Sequence, residues 1–181
     1  MASNSYPPPK RSGAILHGVI LTILALVSAW CFINVARSPV GPVLTAYLIG
    51  ALLTFIPIPY FFYRLYSLAR ADYQLGRDSL NIHWGLRVEE IPLSDIEWVR
   101  PASDLTHSLR FPFLSIPGAA LGLRRHPDLG LVEFIASTRR NLLLVATARR
   151  VFVISPADAR GFVHSFSRSV ELGSLSPSEA H

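Results

Sequence analysis

Residues 13–36 read GAILHGVILTILALVSAWCFINVA, and residues 40–63 read VGPVLTAYLIGALLTFIPIPYFFY. Neither run carries a formal charge. A bilayer core about 30 Å thick is crossed by about 20 helical residues at 1.5 Å each, so either run is long enough to span one with some tilt. Arg37, Ser38, Pro39 and Gly41 punctuate the gap. So short a connection predicts an antiparallel helical hairpin. Pro57 and Pro59 are expected to end or kink the second helix near its exit. Tyr60, Phe61, Phe62, Tyr63 and Tyr66 then read as an aromatic belt, with Arg64 as an anchor whose charged head snorkels to the interface.

Two plainer readings compete. A cleaved signal peptide would use Lys10 and Arg11 as its basic region, but its apolar stretch is typically 7–15 residues, shorter than residues 13–36. A lipoprotein cleavage site at Cys31 would want small residues before it, and Trp30 stands there. A soluble helical core does not call for two successive charge-free runs of this length with an aromatic exit.

Working outward, the chain divides in two. The first 71 residues contain no Asp or Glu, and all 12 acids lie from Asp72 onward. Only 16% of residues are charged and half are hydrophobic, against roughly 25% charged in soluble domains. The single cysteine, Cys31, lies inside the first run, so neither an intrachain disulfide nor a thiolate metal site is available. Lys10 and Arg11 precede the first helix, Arg64, Arg70 and Arg77 follow the second, and the connection has only Arg37. The positive-inside rule then predicts a multi-pass protein of the cell membrane with both termini in the cytoplasm. His17, about one turn from the interface, reads as an uncharged structural group. Gly50, Ala51 and Ala46 are the small residues expected to pack the hairpin.

After Arg70 the periodicity changes. Tyr73 to Leu75 reads as a strand. Leu80, Ile82 and Trp84 alternate with Asn81 and His83, as in a half-buried strand. Arg87 to Ile91 returns as a strand that Pro92 ends. Ser94 caps a short helical turn, and Trp98 and Val99 begin another extended piece. Residues 101–130, rich in Pro, Gly and Ser, read as a long irregular connection with room for one short strand. LVEFIAS from Leu131, NLLLVAT from Asn141 and VFVIS from Val151 follow as three strands of a β-meander. Ser155 and Pro156 look like the N-cap and first position of an amphipathic helix over 156–170, with Ala159, Phe162, Val163 and Phe166 on one face. Residues 1–12 and 171–181 are expected to be disordered.

LNIHWG (Leu80 to Gly85), IPLSDIEWV (Ile91 to Val99), LVEFIAS and the segment ISPADARGFV from Ile154 together resemble a bacterial pleckstrin-homology (PH) domain. Such domains often follow one or two membrane helices. The resemblance covers about 100 residues and rests on turns and core positions. It implies an α+β protein: a transmembrane hairpin (13–66), then a PH-like antiparallel β-barrel of about seven strands over 70–170, capped by a C-terminal helix. It brings no catalytic motif.

The residues bring none either. GxSxG, HExxH, P-loop and GxGxxG patterns are absent from the sequence. The six histidines, His17, His83, His107, His126, His164 and His181, have no metal-ligand spacing. Glu89 and Glu90 are adjacent, and adjacent strand residues point to opposite faces. No catalytic residue, cofactor or metal is therefore expected. Three arginine pairs, 124/125, 139/140 and 149/150, fall in expected turns. Arg64, Arg70, Arg139, Arg140, Arg149 and Arg150 are candidate contacts to anionic lipid head groups, at about 1 kcal/mol per basic residue near the surface. Nothing beyond charge points to nucleic acid. The leading expectation is a non-enzymatic membrane-anchored module that docks a protein partner or itself. An anionic-lipid-binding module and an accessory subunit of a membrane transporter are the alternatives.

Overall fold

The computed structural model describes residues 4–105, 107–112 and 118–174. Helix α1 spans Arg11–Arg37. Helices α2 (Pro42–Phe55) and α3 (Ile58–Ala69) follow it back. Pro42 sits in the first turn of α2, where its missing N–H costs nothing. The prolines act well before the exit: the helix breaks at Ile56 and Pro57 and resumes to Ala69. Both α1 and the α2–α3 pair are long and apolar enough to cross a membrane. Their hydrophobic side chains face outward, with Leu26 66% and Leu53 68% exposed. A soluble core helix would bury them. The helices of the hairpin touch along a line of small and aromatic groups. A Cβ built on Gly50 would stand 3.2 Å from Cys31 Sγ, Ala51 is fully buried, and Trp30 meets Tyr47 edge-on at 5.5 Å. Ala46, expected in that line, is exposed.

The β region is two sheets and not a closed barrel. The first has the order β1 (Asn4–Ser5), β2 (Asp72–Leu75), β3 (Ser79–Trp84), β4 (Arg87–Pro92), all antiparallel. The second has the order β5-β8-β9-β7-β6, from β5 (Ile96–Pro101), β6 (Ala120–His126), β7 (Gly130–Ala136), β8 (Leu143–Thr147) and β9 (Val151–Ile154). That makes nine strands among the described residues, where about seven in one barrel were expected. Pro92, which has no N–H to give a ladder, ends β4, and a single 3₁₀ turn at Leu93–Asp95 passes the chain to the other sheet.

The expected meander is also corrected. β9 lies between β7 and β8, parallel to β7 and antiparallel to β8. The segment from Ser137 to Leu142 bridges the width of an interposed strand, which no tight two-residue hairpin does. Within 101–130, Ala120–His126 form β6, which pairs with β7 over seven residues.

Two cores result. Tyr73, Leu80, Ile82 and Trp84 of the first sheet pack against Ile135, Val145, Phe152 and Ile154 of the second. The outer face of the second sheet, with Val132, Phe134, Leu144 and Val153, is covered by Trp98, Leu105, Leu109 and Phe111. β7, β8 and β9 are therefore buried on both faces, so their sequences are continuous apolar runs. A bulge between Ile96 and Trp98 in β5 sends Ile96 to one core and Trp98 to the other.

Helix α4 (Ala159–Ser174) starts later and ends later than 156–170. Its cap is Asp158, whose carboxylate accepts the Gly161 N–H at 2.8 Å. Ser155 is used elsewhere: its hydroxyl accepts the Ser137 N–H at 2.8 Å. The tail from residue 175 lies outside the described residues. At the other end, residues 4–12 are ordered parts of the fold. β1 lies on β2, Tyr6 N–H donates to Tyr73 O at 2.8 Å, and Ala157 N–H donates to Pro7 O at 3.0 Å. The Tyr6 ring meets Phe162 edge-on at 5.3 Å and its hydroxyl bonds Ser165 at 2.6 Å.

Candidate functional site: the hairpin-proximal end of the β domain

Where the hairpin enters the β domain, the backbones come unusually close. A Cβ on Gly13 of α1 would stand 2.3 Å from Gly118 Cα and 2.7 Å from Leu68 Cδ2 of α3. Gly118 has φ 94°, a conformation that glycine adopts without strain. Its N–H donates to Ser137 O at 2.8 Å, which ties the strand end of β7 to this contact. On the neighbouring side, the turn between β3 and β4 lies on α3: a Cβ on Gly85 would stand 2.4 Å from Ser67 Oγ. Lys10 Nζ donates to Ala69 O at 2.7 Å and joins the start of α1 to the end of α3.

This junction holds buried polar groups. His17 is fully buried, its Nδ1–H donates to Gly13 O at 2.8 Å, and its ring lies 6.0 Å from that of Phe61. Arg64 is buried, not snorkelling. It donates to Ala119 O at 3.4 Å and stacks on Tyr60 at 5.2 Å. Among the described residues, His17 Nε2, Arg64 Nη1 and Ser67 Oγ have no hydrogen-bond partner.

The arginines read from the sequence are dispersed. Arg70 stacks on Tyr66 at 5.0 Å at the exposed end of α3. Arg139 and Arg140 lie in the β7–β8 connection, exposed, and Arg139 stacks on Phe111 at 5.0 Å. Arg149 and Arg150 lie at the opposite end of the sheet, between β8 and β9. Arg124 and Arg125 are on strand β6, not in a turn. Arg150 is committed within the fold. It meets Glu133 at 2.6 Å, Glu89 at 3.5 Å and the face of Phe152 at 4.7 Å. Arg87 completes a four-charge cluster with Glu89 and, at 2.6 Å, with Glu133. The Glu133 hydrogen bond is the main reason the Arg87 guanidinium is held above its ordinary pKa. β4, β7 and the β8–β9 turn are thereby pinned together at the rim of the first core.

A second polar feature escaped the sequence reading. His107 Nδ1 lies 2.9 Å from Asp128 Oδ2, and His126 lies beside them with ring centroids 6.4 Å apart. His126 Nδ1 accepts the Asp128 N–H at 3.3 Å, so that nitrogen is occupied. Among the described residues no three such side chains form a group suited to a metal. Their sequence separation left no spacing to recognise. An open groove of about 980 Å³ also runs beside the start of α4, lined by Phe111, Arg139, Asn141, Asp158, Arg160 and Val163.

Residues 71–170, the two sheets from β2 onward with most of α4, match the family described as Bacterial PH domain. The chain belongs to that family. No curated protein and no solved structure matches it. In this bacterial PH domain the matched segment starts at Ala71, immediately after α3. The strand β1 and Tyr6, on the far side of the hairpin in sequence, complete its first sheet.

Proposed function

We propose that this protein is an integral membrane protein whose two-span hairpin holds a PH-like domain against the cytoplasmic face, where the domain docks a protein partner or a second copy. The carrying observation is the outward apolar surface of α1 and α2–α3, buried over only 11% and 6% of their most apolar windows. The contacts of α1 with Gly50 and Gly118 favour a permanent helix over a cleaved leader. The pairing of β1 with β2 fits two crossings, because it keeps residues 4–6 on the same side as the domain. The basic residues at the helix ends favour the cytoplasmic side. Reporter fusions after Arg37 and after His181 test this. The loop is expected to report external and the C-terminus cytoplasmic; an external C-terminus overturns the orientation. Docking is tested by affinity isolation of the detergent-solubilised chain, and failure to retain a partner or to self-associate counts against it.

One observation favours a second reading, contact with anionic lipid. Ser137 is bonded to Gly118, which touches α1, so Arg139 and Arg140 begin at the membrane-proximal end of the sheet. Arg150 is spent on Glu133, and Arg149 lies at the distal end. In nanodiscs, anionic lipid is expected to slow hydrogen exchange over residues 137–142 in the full chain. Equal exchange with neutral lipid sinks this reading.

A further inference from the structure

The β3–β4 turn carries the most exposed large apolar side chain of the β domain among the described residues. Leu86 is 75% exposed, and Val88, two positions on, is 57% exposed. Arg87 between them offers no free charge to the tip, because it is held by Glu89 and Glu133. An exposed apolar pair on a turn is usually unremarkable surface. Its position makes it otherwise.

Gly85, next to Leu86, lies on Ser67 of α3, at the 2.4 Å Cβ approach given above. Ser67 adjoins Leu68, whose Cδ2 faces Gly13, the first residue of the uncharged run of α1. The turn therefore stands level with the edge of the apolar span. One helical turn deeper, Phe62 and Tyr63 of α3 are exposed, as aromatic residues are at a membrane boundary. The turn continues that apolar surface sideways. The turn at the other end of β3, with Arg77 and Asp78 between β2 and β3, is charged and exposed. It lies about 20 Å away along a six-residue strand.

We infer that the β3–β4 turn is a membrane wedge: Leu86, with Val88, enters the interfacial zone of the bilayer beside α3. This fixes the tilt of the β domain against the lipid surface. The inference rests on the reading that α1 and α2–α3 cross a bilayer, and the experiment keeps the two apart.

The full chain, with Cys31→Ser, is labelled with an environment-sensitive fluorophore at one of three positions and reconstituted in bilayers containing nitroxide-bearing lipid. Leu86→Cys reports the wedge, Leu53→Cys the mid-span of α2, and Arg77→Cys the distal turn. Quenching at 86 approaching that at 53, with a blue-shifted emission, and little quenching at 77 are the expected results. Quenching at 53 without quenching at 86 overturns the wedge and leaves the membrane hairpin standing. Equal quenching at 77 and 86 also overturns it, because no particular turn would then be singled out. Absence of quenching at 53 overturns the membrane reading, and the wedge with it.

Discussion

Replacing Tyr73 by Phe removes one oxygen from the contact between the two sheets. The Tyr73 hydroxyl donates to Ile135 O at 2.7 Å and accepts the Ser155 N–H at 3.3 Å, in a fully buried position. It therefore joins β2 of the first sheet to β7 and to the end of β9 in the second. Phe fills the same ring space, so the loss is polar. A buried donor left without a partner costs about 1–3 kcal/mol. In a domain of about 100 residues each kcal/mol moves Tm by roughly 4–8 °C, so a fall of roughly 4–24 °C is expected at neutral pH.

The pH dependence supplies a sharper check. Burial is the main cause that pushes the Tyr73 hydroxyl well above its ordinary value of 10.0, partly offset by the Ser155 hydrogen bond. A phenol raised in the folded state contributes stability that is fully present below pH 10, and that stability is lost as pH climbs from there toward the folded value. At one unit above 10 the unfolded chain gains about 1.4 kcal/mol from ionising this group, which Tyr73→Phe does not. The gap between native and variant should therefore narrow by that amount between neutral pH and pH about 11. Thermal or chemical unfolding of the full chain in detergent measures it. A variant as stable as the native chain at pH 7, or a gap that widens at high pH, refutes the account.

Three other perturbations separate the remaining contacts. Glu133→Ala strips the shared carboxylate from Arg87 and Arg150 and should cost about 1–3 kcal/mol in denaturant unfolding, with Glu133→Gln intermediate. Gly13→Ala drives a Cβ into the Gly118 backbone and should cost about 1–3 kcal/mol. Its signature is faster hydrogen exchange of the Gly118 amide, whereas Gly18→Ala, where a Cβ meets nothing within 4 Å, should leave that exchange unchanged. Tyr6→Ala loses the Phe162 and Ser165 contacts of a partly buried ring and should destabilise by roughly 1–3 kcal/mol, read as a lowered Tm.

What could be read from the sequence follows from which residues carry a period. Leu80, Ile82 and Trp84 alternate because the first sheet has one buried face, and β3 was legible from that alternation. β7, β8 and β9 were legible as strands but not in their order. Buried on both faces, their side chains record no preferred neighbour, and the insertion of β9 is a tertiary choice. β6 was legible only as one short strand without a position, because its exposed edge mixes Gly122 and two arginines into a strand of weak pattern. Among the candidate lipid contacts, chain position gave the charge but not its use. Nothing local to Arg150 announces Glu133, and nothing local to Arg64 announces the carbonyl of Ala119. The role of Tyr6 was unreadable for a related reason: its partners lie more than 150 residues away.

That last separation bears on how the protein works as a unit. A domain tethered by one linker would sample many orientations over the lipid surface. Here both ends of the hairpin are built into the domain. Residues 4–7 enter its first sheet and touch α4, and α3 runs into β2 with only Arg70 and Ala71 between them. Gly13 and Gly118, and Ser67 and Gly85, close the remaining space without room for a methyl group. A displacement of α1 against α3 would therefore pull on β1 and on the Gly118–Ser137 hydrogen bond, and through Ser137 on the connection that carries Arg139 and Arg140. The surface of this domain and the helices of the hairpin share the same short set of contacts. The hairpin is thus the mechanical frame of the first sheet. A segment cut at residue 71 would lose β1, Tyr6 and the glycine contacts together, so binding studies are best done on the whole chain.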